Sequence, residues 1–596
     1  MDKFETDEKP IMKEGALSSS SLVSNGSVNF RGRIADKRTT GGWKASSFVI
    51  ANELAERLAF FSIAVSLAAY LVLKMNQSLP TAATLMTNWS GSAFLLTIVG
   101  AFLADAYLGR FGTIIIFSCL YSIGMVMLTI SSTMDSLRPP PCRVRPCVQP
   151  NAGQNAFLTG ALALIALGTG GIKPCVSSFG ADQYDEADEK EVKDKSGFFN
   201  WFFLAINMGA VLAVTVMAFI QDRLGYAWGF GIPTGMMIFS IVILATGMPF
   251  YRFKKPMGSP FTRFLQVVVA SLRNHFRRVK VSHETELYEV KTKESDIHGA
   301  KKLFHTAQYR FFDKAAVITD PSPSDINTRN RWKLCTVTQV EEFKSLLRVL
   351  PVCATTIGLA LSYSQVSTFF LTQAGLTDRN LGPHFTIPIG SVAIFTALDA
   401  LIIIPIYQKW MVPLLRKFTG HERGLTSLQR IGVGLFLGIF SFVSAALVEK
   451  KRVDSFEEQH KMSVFWLFPQ FFLIGSAEVF AYVGQLEFFY DEATDGTRSI
   501  SSALFLSEFG IGSFLSTALV KIIVRSTGGQ ETGWLRNDLN KSRLDYFYWI
   551  VAGIDIVLFF VFLWIATRYK RRQNGSVADE SMLELGGNIN ANEDRR

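Results

Sequence analysis

Charge is scarce in this sequence. Asp, Glu, Lys and Arg make up 18% of 596 residues, against about 25% in soluble domains. Histidine is scarcer still: His275, His283, His298, His305, His384, His421 and His460 are the full set, and all lie outside the long apolar runs. The six cysteines, Cys119, Cys142, Cys147, Cys175, Cys335 and Cys353, show no metal-ligand spacing. No nucleophile–base pair and no phosphate-binding loop stands in the polar segments. An enzyme, a metal site and an organic cofactor are therefore not expected. The first 40 residues are polar and Ser-rich and lack the apolar core of a cleavable signal.

What the chain has instead is apolar bulk. It is 49% hydrophobic and 13% aromatic, with 50 phenylalanines, the composition of a polytopic membrane protein embedded in a lipid bilayer. The net charge of +10 does not point to nucleic acid, because the basic residues cluster between apolar runs and at the tail, as the positive-inside rule requires. Twelve spans are expected, at about 43–73, 80–104, 112–133, 155–178, 197–220, 228–250, 345–371, 386–410, 428–448, 463–487, 498–524 and 545–567. Between the sixth and seventh, residues 251–340 hold 17 Lys/Arg against 8 Asp/Glu, which marks a cytoplasmic linker. Arg568, Lys570, Arg571 and Arg572 hold the C-terminus on the same side. The expected organisation is a disordered cytoplasmic tail (1–42), a six-helix lobe (43–250), the cytoplasmic basic linker (251–340), a second six-helix lobe (341–567) and a cytoplasmic closing tail (568–596). This all-α, two-lobed, twelve-helix layout is that of a major-facilitator-type transporter; no repeat between the halves is visible in the residues.

The unusual chemistry lies inside the first span. Ala51-Asn52-Glu53-Leu54-Ala55-Glu56-Arg57 puts three ionisable groups into one helical turn of an apolar run. Each costs at least about 2.5 kcal/mol at membrane depth unless it is paired or wet. Glu53 and Glu56 are i,i+3 and Glu53 and Arg57 are i,i+4, so all share one face. One carboxylate would neutralise Arg57; the surplus one suits a proton site. In the fourth span Lys173 lies nine residues before Asp182, and Glu53 lies ten after Trp43. At about 1.5 Å per residue the two reach equal depth and are expected to pair. Glu478 is a further mid-membrane carboxylate. Asp399, Glu508 and Asp555 read as structural or interfacial acids rather than substrate ligands. After the second span, Asp105 and Arg110 are expected to pair near the helix ends, and Thr113 stands at the spacing from Arg110 that a basic-directed kinase reads. Cys142 and Cys147 share one loop; they form a disulfide if that loop faces outward, or remain two thiols. Asn76-Gln77-Ser78 and Asn540-Lys541-Ser542 are glycosylation triplets in outward loops.

Three motifs together carry a family resemblance: Glu53-x-x-Glu56-Arg57; Gly168-Thr169-Gly170-Gly171-Ile172-Lys173-Pro174 followed by Phe179-Gly180-Ala181-Asp182-Gln183; and Phe198-Phe199-Asn200-Trp201-Phe202-Phe203 running to Asn207. Over about residues 30–570 the chain resembles the proton-coupled oligopeptide transporters, and more closely their plant branch, the nitrate transporter 1/peptide transporter family. The resemblance implies a symporter driven by protons and carrying a small anionic or zwitterionic solute, such as nitrate, a di- or tripeptide or a carboxylate hormone. It makes Glu53, Glu56, Arg57 and Lys173 the proton-coupling set. It makes Arg57, Lys173, Tyr363, Glu478 and Asn207 the substrate-binding set, and Asp105 and Arg110 a conformational switch. Tyr363 stands where the family's nitrate-binding member has histidine, so one anion anchor is missing. The plasma membrane is the expected location, with the vacuolar membrane as the alternative. A sensor without net transport and an anion channel are the rival readings. Oligomeric state is not legible in the residues.

Overall fold

A computed structural model describes residues 22–569 except 24–25, 143–146, 186–187, 255–257, 280–286, 291–294, 298–301, 320–329, 421–423, 495–497 and 537. The first lobe contains α1 (Gly42–Leu73), α2 (Leu79–Leu103), α3 (Gly109–Thr133), α4 (Ala152–Ala181), α5 (Glu189–Leu212) and α6 (Tyr226–Thr246). The linker contributes α7 (Pro260–Phe276). The second lobe contains α8 (Val337–Tyr363), α9 (Ile394–Ile406), α10 (Ser427–Glu457), α11 (Phe468–Glu492), α12 (Arg498–Ser526) and α13 (Leu544–Arg568). Among the described residues, eleven helical segments are long and apolar enough to cross a membrane. One of them, Leu79–Thr133, has 55 residues, over twice the length a crossing needs. It turns back at Gly109, whose φ of 70° no helix accommodates, and this gives twelve crossings.

Local sequence explains where the helices begin. Asn151 with Gln154, Thr336 with Gln339 and Thr426 with Gln429 each form a reciprocal capping box. Ser78 accepts the Thr81 amide at the start of α2. Apolar faces then divide between two cores. One is built by α1–α6; the other is built by α8–α13 and reaches Val65, Leu79, Ala83 and Val214 of the first lobe. Phe239, Trp228, Phe560 and Trp564 point outward, as a bilayer permits and water would not.

Glycine sets how closely helices approach. A Cβ on Gly168 would stand 2.5 Å from that of Tyr121, and one on Gly124 would stand 2.8 Å from the Ala161 carbonyl oxygen. Thus α3 and α4 are in near backbone contact, the small-residue packing that membrane interiors favour. Between lobes, Gly91 of α2 and Gly510 of α12 meet the same way. Beyond that crossing the Thr87 and Thr517 hydroxyls are 2.5 Å apart, and Thr517 donates to Asn88 Oδ1 at 2.8 Å.

Two expectations need correction. Residues 26–41 are not a loose tail: Val28 pairs with Phe253, Lys37 bridges to Asp185 at 3.2 Å, and Arg252 donates to the Thr40 carbonyl at 2.8 Å. Their polar composition is spent on contacts with the α4, α5 and α6 ends. The linker is ordered where described: α7 docks on the start of α8 through Arg263 and Glu342 at 3.3 Å. Asn76 is not a free glycosylation acceptor, because its buried amide donates to the Pro140 and Val148 carbonyls at 3.0 Å. Ser322 and Ser324, each beside a proline and so candidates for phosphorylation, and residues 7–12, which loosely resemble an acidic dileucine sorting signal, lie outside the described residues. Cys142 and Cys147 form a disulfide.

Gly168→Val should lower the thermal midpoint of the detergent-purified protein, since overpacking costs about 1–3 kcal/mol. Gly235→Ala, where a Cβ meets nothing, is the control expected to leave the midpoint unchanged in the same fluorescence melt.

Candidate functional site

The first-span cluster is real and is shared with α4. Arg57 Nε donates to Glu53 Oε1 at 2.6 Å and lies 3.5 Å from Glu56 Oε2. Lys173 Nζ is 3.1 Å from Glu56 Oε1. Both side chains of that pair are 0% exposed, whereas Arg57 retains 16%. Arg57 is therefore the most accessible charge of the cluster. The expected Glu53–Lys173 pair is replaced by Glu56–Lys173. Equal depth was right to within a turn, but Arg57 occupies the Glu53 carboxylate. Lys173 also lies 4.1 Å over the Phe60 ring, a contact that lowers the cost of a desolvated ammonium.

Two features of the chain hold this geometry. Pro174 follows Lys173 within α4 and cannot donate to the Gly170 carbonyl. Gly209 of α5 lies against the cluster, so that a Cβ there would be 2.7 Å from that of Arg57. Two helix faces thus press on one turn of α1. Tyr121 was not anticipated. It is buried on α3, its hydroxyl has no hydrogen-bond partner, and it lies within electrostatic reach of Glu56 and Arg57. Its signal in the sequence was only its place opposite the glycine run.

The second lobe presents carboxylates of another kind. Glu478 of α11 accepts the Tyr363 hydroxyl of α8. Asp399 accepts Ser476 at 3.2 Å, Asp555 accepts Ser362 at 2.6 Å, and Glu508 accepts Thr356 at 2.7 Å and Gln485 at 2.6 Å. Among the described residues none of the four has a cationic partner. Rings connect the two charged regions: Phe60 meets Phe94 (5.8 Å), Phe94 stacks across the lobes on Phe509 (5.2 Å), and Phe509 meets Tyr363 (6.2 Å) and Tyr482 (4.5 Å).

The remaining expected residues are placed differently. Asn207 turns its amide back onto the Phe203 carbonyl of its own helix at 2.8 Å. Arg110 lies 3.9 Å from Asp105, but its close partner is Asp182, which Lys254 also meets at 2.8 Å. The pair expected after span two is thus a junction with the end of α4. Thr113, expected as a kinase-readable surface threonine, is fully buried and donates to the Gly109 carbonyl at 2.9 Å; it faces the helix packing rather than water. On the linker, His305, Asp313 and Glu341 converge at ligand distance from one another. Lys344 already fills that centre, 2.6 Å from Asp313 and 2.8 Å from Glu341.

Comparison with known proteins places this arrangement. The POT family profile matches residues 111–535. The chain is 45% identical over 558 residues to Protein NRT1/ PTR FAMILY 8.1 of Arabidopsis thaliana, covering 92% of this chain and 97% of the relative. It is 48% identical over 554 residues to Protein NRT1/ PTR FAMILY 8.2 of the same plant, covering 91% and 96%. In fold it is similar to an auto-inhibited POT family peptide transporter, at a TM-score of 0.64 and 18% identity over 89% of this chain and 98% of that one. It is also similar to a POT family transporter in complex with 5-aminolevulinic acid, at 0.60 and 13% over 93% and 99%.

Removing one member of a buried pair strands the other at a cost of about 3–5 kcal/mol. Lys173→Met should therefore lower thermal stability strongly. Lys173→Met with Glu56→Gln should recover most of the loss, because no unpaired charge is left. Melting curves of the four members of this double-mutant cycle decide it.

Proposed function

The chain belongs to the POT family, and from that premise we propose that it is a proton-coupled symporter for small zwitterions carrying both an amine and a carboxylate, of the di- and tripeptide kind. That it is a multi-pass membrane transporter follows from its family and its spans. The observation that carries the proton coupling is the wholly buried Glu56–Lys173 pair at 3.1 Å, beside the Glu53–Arg57 pair at 2.6 Å. With Glu56 ionised, Lys173 is held to α1. A proton on Glu56 removes the anion and leaves an ammonium that needs another partner. A substrate carboxylate supplies one, steered by the partly exposed Arg57.

The opposite end of the substrate is addressed by Glu478. Its carboxylate is met by a neutral hydroxyl from Tyr363 and no cation, so it suits an ammonium group. With Glu56 protonated the first lobe carries one cation in excess, and with Glu478 ionised the second presents a carboxylate; together they fit a zwitterion better than nitrate, which would find one end repulsive. The ligand named for one similar structure, 5-aminolevulinic acid, is of the same amine-and-carboxylate class. Substrate and proton together favour one orientation of the lobes, and the coupling free energy resides in the ion pair they both alter. We assign the protein to the plasma membrane on the sequence reading alone.

Glu56→Gln, at equal surface expression, should abolish acid-stimulated uptake of radiolabelled alanylalanine while leaving pH-insensitive exchange. Retained acid stimulation would refute the assignment of Glu56.

A further inference from the structure

The carboxylates of the second lobe do not behave like those of the first. Glu53 and Glu56 are matched by Arg57 and Lys173. Among the described residues Asp399, Glu478, Glu508 and Asp555 are matched by neutral donors: hydroxyls, the Gln485 amide, the Cys353 thiol and the Ser476 backbone N–H. Bare carboxylates without countercharge are untenable together at membrane depth. In the packed, substrate-free lobe protons therefore sit on them, and at Glu478 an arriving ammonium group takes the place of that proton.

Which of these protons moves during a cycle depends on what the moving lobes expose. Asp399 is enclosed between α9 and α11, where its oxygen packs against Gly475. Asp555 faces a small closed space with Thr355, Gly358, Leu359, Leu435 and Leu558, all from the second lobe. A rigid-body rotation alters neither. Glu508 is different. It lies on α12 two residues from Gly510, the point where α12 touches α2 across the lobes, and Phe509 between them stacks on Phe94. Opening the transporter on the Thr87–Thr517 side must part this contact. Glu508 is 3% exposed; its Oε2 accepts Thr356 and Gln485 while its Oε1 has no partner.

A second group marks the same place. Tyr482 of α11 is 7% exposed, its hydroxyl is unpartnered, and it lies within electrostatic reach of Glu478, Glu508, Asp555 and Tyr363. The other groups facing Glu508 are the thiol of Cys353 and the neutral Thr356 and Gln485. Among the described residues no Lys or Arg faces it.

We propose that Glu508 is a second coupling-proton site, loaded when α2 and α12 part and sealed when Phe94 stacks on Phe509, so that one proton crosses at Glu56 and another at Glu508 in each cycle. The proposal rests on the reading of the protein as a proton symporter for zwitterions.

The test is the ratio of charge to substrate in voltage-clamped oocytes, from inward current and radiolabelled alanylalanine uptake in the same cell. The wild type should move about two positive charges per dipeptide and Glu508→Gln about one, with acid dependence retained through Glu56. An unchanged ratio in Glu508→Gln overturns the second site and leaves the symport reading standing. A wild type without acid-dependent dipeptide current overturns both. If the variant fails to reach the surface, the purified wild type is treated with dicyclohexylcarbodiimide, which modifies protonated carboxyls in apolar surroundings. Mass spectrometry should then find Glu508 labelled, and an unlabelled Glu508 overturns the proposal.

Discussion

One ion pair organises the first lobe. Glu56 and Lys173 meet with no access to water, in surroundings where an isolated charge costs several kcal/mol. Each needs the other for as long as both are ionised. The packing around them holds the pair in one geometry: glycines of α4 admit α3, Gly209 admits α1, and Phe60 lies under the ammonium. A proton is the smallest ligand that dissolves the pair, and a substrate carboxylate is the partner that can take its place. Coupling between proton and solute then needs no further device in this lobe.

The second lobe solves the same physical problem differently. Its buried carboxylates accept neutral donors, and Glu478 is reached through Tyr363. Rings fill the space between the two lobes' charged groups; Phe94 on Phe509 crosses the interface, as does Phe219 on Phe385. The molecule is thus asymmetric in charge: balanced pairs on one side, uncompensated acids on the other. A zwitterion complements that asymmetry.

Much of this was legible in the residues. The twelve crossings follow from apolar length, and their ends from the Asn151, Thr336 and Thr426 capping boxes. The charged turn of α1 stood out because an apolar run gives ionisable groups no other reason to be there. What could not be read was partner choice. Depth arithmetic placed Lys173 opposite Glu53, yet which oxygen it meets depends on where Arg57 goes. Thr113 looked like a surface threonine because spacing from Arg110 says nothing of which helix covers it. Residues 26–41 looked loose because polarity does not reveal a pairing with Phe253. That Glu508 meets only neutral donors among the described residues could not be read, because α8 and α11 supply them.

Proton coupling through the Glu56–Lys173 pair is tested most directly by the solute and ion requirement of the transport current. In voltage-clamped oocytes stepped from neutral to mildly acidic medium, alanylalanine should evoke an inward current that needs the acid step, and nitrate should evoke none. A current carried by nitrate alone, following its own gradient and indifferent to pH, would contradict it.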